Sequence, residues 1–153
     1  MRNEILGLLM VAVLLTACNH GTVYQHYEHV PNGGWETNDT LSFEIGPLLE
    51  AGTYQEKLEL RIDEFYPFLG LSLKVEQTIF PRGERYFQTL SCDLIEKNGA
   101  YKGNGISFYQ YGFDLNDLHL EKGDSIHIIV RHNMKREIMP GVTDIGILLK
   151  KIR

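Results

Sequence analysis

The stretch Leu69-Gly70-Leu71-Ser72-Leu73-Lys74-Val75, residues 69–75, decides the fold: four apolar side chains alternate with glycine, serine and lysine. Successive side chains of an extended chain point to opposite faces, so this segment has one apolar face and one polar face. The same period of two recurs on both sides of it. Leu41, Phe43 and Ile45 alternate with Ser42 and Glu44, and Leu58, Leu60 and Ile62 alternate with Glu59 and Arg61. Downstream come Ile106 and Phe108, then Ile126, Ile128 and Val130, then Ile145, Ile147 and Leu149. One dry face and one wet face per strand is the pattern of antiparallel sheets.

Turn chemistry separates these runs. Pro81-Arg82-Gly83-Glu84, Lys97-Asn98-Gly99 and Glu121-Lys122-Gly123-Asp124 each read as a hairpin connection. About seven strands with few helical signals predict an all-β chain, an antiparallel β-sandwich of immunoglobulin-like or jelly-roll-like type. Leu58, Leu60, Leu71, Leu73, Ile126, Ile128, Ile145 and Ile147 are expected to line one shared core. The single helical candidate is a turn over Asp114-Leu115-Asn116-Asp117-Leu118, with Asp114 as its cap. No internal repeat, low-complexity tract or second-domain boundary is evident.

Before the strands lies a different chemistry. An apolar run from Ile5 to Leu15, behind Arg2, closes on Leu15-Thr16-Ala17-Cys18. The run is shorter than the roughly 20 residues a helix needs to span a bilayer. Small residues before a cysteine are what a lipoprotein signal peptidase requires, and the Cys18 thiol then takes a diacylglycerol. The expected organisation is a lipoprotein signal peptide over 1–17, a lipidated tether and lead-in over 18–38, and the sandwich domain over 39–153. Within the lead-in, Asn19-His20-Gly21-Thr22 reads as tether and Pro31-Asn32-Gly33-Gly34 as loop, with Trp35 docking the far end to the core.

Charge and side-chain inventory exclude several function classes. The formal net charge is −5, and removing Arg2 with Glu4 leaves it unchanged. A mildly acidic domain offers no basic stripe for nucleic acid and no polybasic patch for anionic lipid. Once Cys18 is acylated, Cys92 is the one thiol left, so no intramolecular disulfide forms, and its alternating context predicts a buried apolar role. His127 and His132 lie five apart on one strand and face opposite sides, so no metal site is expected. Asp114, Asn116, Asp117 and Glu121 lack the glycine of a calcium loop. No serine sits in a strand-to-helix elbow, and Asp63-Glu64 reads as a loop between strands with no second carboxylate placed for glycoside chemistry. Neither catalytic residues nor a cofactor are expected. Tyr109 and Tyr111 share one strand face and Phe108 takes the other, which makes the tyrosines, with Trp35, candidate contacts for a partner or glycan. The plainer role of the tyrosines is cross-strand packing.

Near the C-terminus, Pro140-Gly141-Val142-Thr143-Asp144-Ile145-Gly146 follows Arg131-His132-Asn133-Met134-Lys135. Upstream stand Tyr27, Trp35, Asp39, Phe43, Leu60-Arg61 and Tyr66-Pro67, then Gly99-Ala100-Tyr101-Lys102-Gly103-Asn104-Gly105. In this order the residues resemble the gliding motility lipoprotein GldH family of the Bacteroidota, over nearly the whole mature chain. The resemblance implies a non-enzymatic envelope lipoprotein, an assembly or scaffold component linked to gliding motility or type IX secretion, with envelope protein partners. The alternative is a carbohydrate-binding outer-membrane lipoprotein that uses the tyrosines. Pro140 to Gly146 reads as structural, since Gly141 and Gly146 permit conformations or approaches that a Cβ blocks. Asn19 to Tyr24 contains no carboxylate, in contrast to surface-exported lipoproteins of this phylum, so the expected site is the periplasmic leaflet of the outer membrane. Asp39-Thr40-Leu41 and Asp124-Ser125-Ile126 match the phylum's short O-glycosylation pattern, making Thr40 and Ser125 candidate acceptors.

Overall fold

The computed structural model describes Met1 and residues 21–153, so Cys18 and His20 lie outside the described residues. Eleven strands follow in order: β1 (Thr22–His29), β2 (Trp35–Glu36), β3 (Leu41–Ile45), β4 (Gly52–Asp63), β5 (Gly70–Phe80), β6 (Glu84–Asp93), β7 (Asn104–Gly105), β8 (Phe108–Leu120), β9 (Ser125–His132), β10 (Ile138–Met139) and β11 (Val142–Lys151). Of these, β2, β7 and β10 are two residues long, so eight strands carry the architecture. One sheet has the order β1-β11-β4-β8-β7 and the other β3-β9-β5-β6, with β10-β2 as a short third ladder. Every pairing among these strands is antiparallel, and the result is the expected β-sandwich.

The period-two reading translates directly into packing. All eight residues expected to line a shared core are buried, and they come from β4, β5, β9 and β11 at the centre of the two sheets. At roughly 2–5 kcal/mol for truncating a fully buried leucine or isoleucine to alanine, each is a large share of a domain's stability. One polar pair interrupts this core. Glu56 on β4 faces Gln77 on β5 across the sheets, and the Gln77 amide donates to the Glu56 carboxyl. The other Glu56 carboxyl oxygen and the Gln77 amide oxygen lack a hydrogen-bond partner. Burial pushes the Glu56 carboxyl up to about 7, because the charged form loses its hydration.

Three expectations are corrected. The lead-in over 18–38 is not tether throughout: residues 22–29 form β1, which pairs with β11 in register from Thr22↔Lys150 to His29↔Asp144. A bulge between Thr22 and Tyr24 and the outer position of β1 in its sheet hide this strand from a periodicity search. The turn expected over Asp114–Leu118 is extended chain within β8. A register shift opposite Gln55 to Lys57 moves the inward positions from Tyr111 and Phe113 to Leu118 and Leu120. Leu115 and Leu118 thereby fall on the core side three residues apart, which imitates helical spacing. Finally, Ile106, Phe108 and Leu69 are exposed rather than core-facing.

The strands run between two ends. At the lower end β1 begins, beside the β3–β4 loop (46–51) and the β5–β6 and β8–β9 turns. At the upper end β1 finishes at His29, β4 at Asp63, and β8 and β11 begin.

Candidate functional site

The family-like string Pro140–Gly146 forms the floor of the upper end. Met139 on β10 pairs with Trp35 on β2, and both are fully buried. The chain then turns at Gly141, which has φ +82°, a region that glycine occupies without strain. A Cβ there would stand 2.5 Å from the Tyr66 nitrogen and 2.6 Å from its Cα, so the close approach also requires glycine. The Gly141 carbonyl accepts the Asp63 N–H at 2.8 Å, and the Thr143 carbonyl accepts the Val30 N–H at 2.9 Å. Thr143 Oγ1 donates to the Arg61 carbonyl at 3.2 Å, and His29 Nδ1 lies 2.8 Å from Asp144 Oδ1. The segment therefore ties together the ends of β1, β4 and β11. Further along, Gly146 leaves room for the Tyr27 ring, whose Cε1 lies 2.7 Å from where a Cβ would stand. The Arg61 guanidinium covers that ring at 4.1 Å.

On this fixed frame sit two exposed aromatic rings. Phe65 is 74% and Phe108 60% exposed, and both border one cleft of about 560 Å³ with Pro31 and Pro140. Phe65 is held by an Asx turn: its N–H donates to Asp63 Oδ1 at 2.9 Å, while the Tyr66 N–H donates to the Asp63 carbonyl at 3.3 Å. Phe108 is the first residue of β8, paired with Asp63 of β4. The cleft thus offers aromatic and proline surface on backbone whose polar groups are already used. Its lining also carries the His29–Asp144 pair, so polar groups border the apolar surface.

The residues singled out from sequence fall elsewhere. Trp35 docks into the core as expected, its Nε1–H donating to the Asp39 carbonyl at 3.0 Å, and so it has no surface for a partner. The exposed tyrosine shelf is not formed. Tyr111 is buried and donates to the Leu94 carbonyl at 2.7 Å, while Tyr109 stacks on Tyr101 with ring centres 3.6 Å apart. The β6–β7 connection folds over both rings, so they pack beneath a loop and Phe108, on the opposite strand face, meets solvent. Thr40 is exposed in the loop before β3, whereas Ser125 is half-buried under Gly46. His127 pairs with Glu44 at 3.4 Å on the outer face, and His132 faces inward against Trp35 at 5.5 Å between ring centres. Burial pushes the Cys92 thiol up to about 12, which keeps it protonated and unreactive. Asp114 pairs with Lys57 at 3.3 Å. Among the described residues no group of three or more His, Cys, Asp or Glu could hold a metal ion, and no helix is long and apolar enough to cross a membrane.

Of the two cleft aromatics, Phe65 is not singled out by the sequence and Phe108 is read there as part of a core-facing alternation. Phe65 stands inside the Asp63–Pro67 loop, where an apolar side chain between turn residues was the available signal.

Fold and site together define a β-sandwich domain with an open cleft bordered by aromatic rings at one end. The profile of the GldH lipoprotein family matches residues 22–149, and the chain belongs to that family. No curated protein matches it in sequence. Among solved structures it is similar to a protein from Sulfurospirillum deleyianum, at 10% identity over 85% of this chain and 98% of that one, with a TM-score of 0.41. It is also similar to CBM28, a non-crystalline cellulose-specific carbohydrate-binding module, at 10% identity over 84% of this chain and 73% of that one, with a TM-score of 0.43. Murine APRIL matches at 18% identity over 84% of this chain and all of its own, with a TM-score of 0.33. Likenesses this distant say nothing about ligand or partner.

Proposed function

We propose that this chain is a non-enzymatic envelope lipoprotein, acylated on Cys18 and held at the periplasmic leaflet of the outer membrane, that serves as an assembly component linked to gliding motility or type IX secretion. It contacts an envelope protein partner through the upper cleft. The observation that supports this reading most is the pair Phe65 and Phe108, exposed on a hydrogen-bonded frame. Aromatic rings held rigidly in an open cleft anchor protein interfaces at little cost in side-chain entropy. The carbohydrate alternative rests on Tyr109 and Tyr111, and is less supported because Tyr111 is buried and one face of the half-buried Tyr109 is stacked on Tyr101.

Replacing Phe65 and Phe108 together by alanine is expected to leave folding and acylation intact while abolishing recovery of envelope partners after crosslinking in native membranes. Undiminished recovery overturns the cleft as the contact, and glycan binding by the purified protein that disappears in the double variant restores the carbohydrate reading. Of the two candidate glycan acceptors, Thr40 is the accessible one, and an intact mass without added hexose removes both.

A further inference from the structure

The lower end has its own exposed apolar surface, and the chain's covalent geometry says what faces it. The Gly21 carbonyl accepts the Lys151 N–H at 2.7 Å, so the chain is locked to β11 from residue 21 onward. Cys18 stands three residues earlier. An extended chain spans at most roughly 3.3–3.6 Å per residue, which gives a reach of about 10 Å between the acylated cysteine and Gly21. A bilayer of about 40–45 Å with a hydrocarbon core of about 30 Å has a headgroup layer of roughly 5–7 Å on each side. With the acyl chains in hydrocarbon, the lower end stands against the headgroups and cannot move away.

What it presents there is apolar and fixed. Leu49, in the β3–β4 loop, is 85% exposed, and Val23, at the β1 bulge, is 50% exposed. Both border one cleft with Gly21, Pro47 and Lys151. The residues flanking Leu49 are pinned. The Leu48 N–H donates to the Asp124 carbonyl at 2.8 Å and the Leu48 carbonyl accepts the Gly123 N–H at 2.8 Å. On the other side, the Glu50 carbonyl accepts the Tyr54 hydroxyl at 2.6 Å, and its carboxylate pairs with Lys151. Arg82 is similarly engaged by Asp124 at 2.8 Å and Glu84 at 3.2 Å. Arg82 and Lys151 are thereby paired with carboxylates, and these two cations are not free to attract anionic lipid.

We infer that the lower end is a membrane-docking surface, with Leu49 and Val23 seated in the headgroup–acyl boundary of the leaflet that holds the Cys18 lipid. The inference rests on acylation of Cys18 and adds to it a fixed orientation: the β1 start faces lipid and the Phe65–Phe108 cleft faces away. Aliphatic side chains buried at this depth bind by apolar area, so the contact is insensitive to salt.

The test uses the mature acylated protein in phosphatidylethanolamine–phosphatidylglycerol vesicles. An environment-sensitive fluorophore is attached to Leu49→Cys, to Val23→Cys or to Phe65→Cys. Cys92, buried with its thiol pushed up to about 12, does not compete for the label. The labels at 49 and 23 are expected to shift to the blue and to be quenched several-fold more by spin-labelled lipid than the label at 65, equally at low and high salt. Equal quenching at all three positions in protein that floats with the vesicles overturns the docking surface and leaves the anchor intact. Flotation that survives Cys18→Ser overturns the anchor reading, and the inference falls with it.

Discussion

The two ends of this sandwich solve the same problem with different side chains. Each holds a shallow cleft on a hydrogen-bonded frame and leaves apolar groups in solvent. At the lower end these are aliphatic, Val23 and Leu49, five and 31 residues after Cys18, the proposed acylation site. At the upper end they are aromatic, Phe65 and Phe108, framed by Pro31 and Pro140. Flexible aliphatic groups adapt to a fluid lipid surface, whereas rigid rings suit a shaped protein pocket. The ends also differ beneath the surface, since the lower half buries an acid, Glu56, and the upper end buries a base, His132.

The sharpest way to break this comparison is through the glycines of the two ends. Gly141→Ala places a Cβ against Tyr66 backbone at a positive φ, and is expected to cost roughly 2–5 kcal/mol from strain and overpacking together. Gly83, at the lower end, has a positive φ but open space around it, so Gly83→Ala is expected to cost only about 1–2 kcal/mol. Urea denaturation of both variants checks this, and equal losses would mean that the upper frame is not closely packed.

A smaller effect should distinguish the buried groups by pH. Glu56 is raised from 4.5 to about 7 in the fold. The native state therefore keeps a proton that the unfolded state releases, and stability falls as pH rises across that interval. Relative to wild type, Glu56→Gln should gain about 1–3 kcal/mol between pH 4.5 and 7.5, levelling off above. Burial lowers His132 below 6.5, so protonation favours the unfolded chain and stability falls as pH drops through that value. His132→Gln should accordingly gain on wild type in the acid direction. Denaturation curves across the range test both, and parallel trends for the two variants would contradict the opposite burial of acid and base.

Much of the fold is legible in the sequence because central strands are buried on one face only, and period two records that burial. Leu58, Leu60, Ile145 and Ile147 are read correctly for this reason. Edge strand β1 is not legible: a bulge breaks its alternation at Val23, and Gln25, His26 and His29 face water. The bulge in β8 similarly turns a strand into an apparent helical spacing. The candidate site was harder still. Strand alternation shows that Phe108 and Tyr109 face opposite ways, but the face that a loop covers depends on residues 94–103 folding back onto Tyr109 and Tyr111. No local pattern records that contact. The turn chemistry around Asp63 is local and was readable, yet the meeting of Phe65 with Phe108 requires the β4–β8 register.

The pairing of β1 with β11 has a mechanical consequence. A force applied at the upper cleft and resisted at Cys18 runs parallel to β1, which enters the fold at the lower end. Its seven register partners, from Lys150 to Asp144, are then loaded side by side in shear instead of being unzipped one after another. On the proposed anchoring at Cys18, the edge strand that looks like a tether in the sequence would be the segment that transmits tension between the bilayer and a partner at the opposite end.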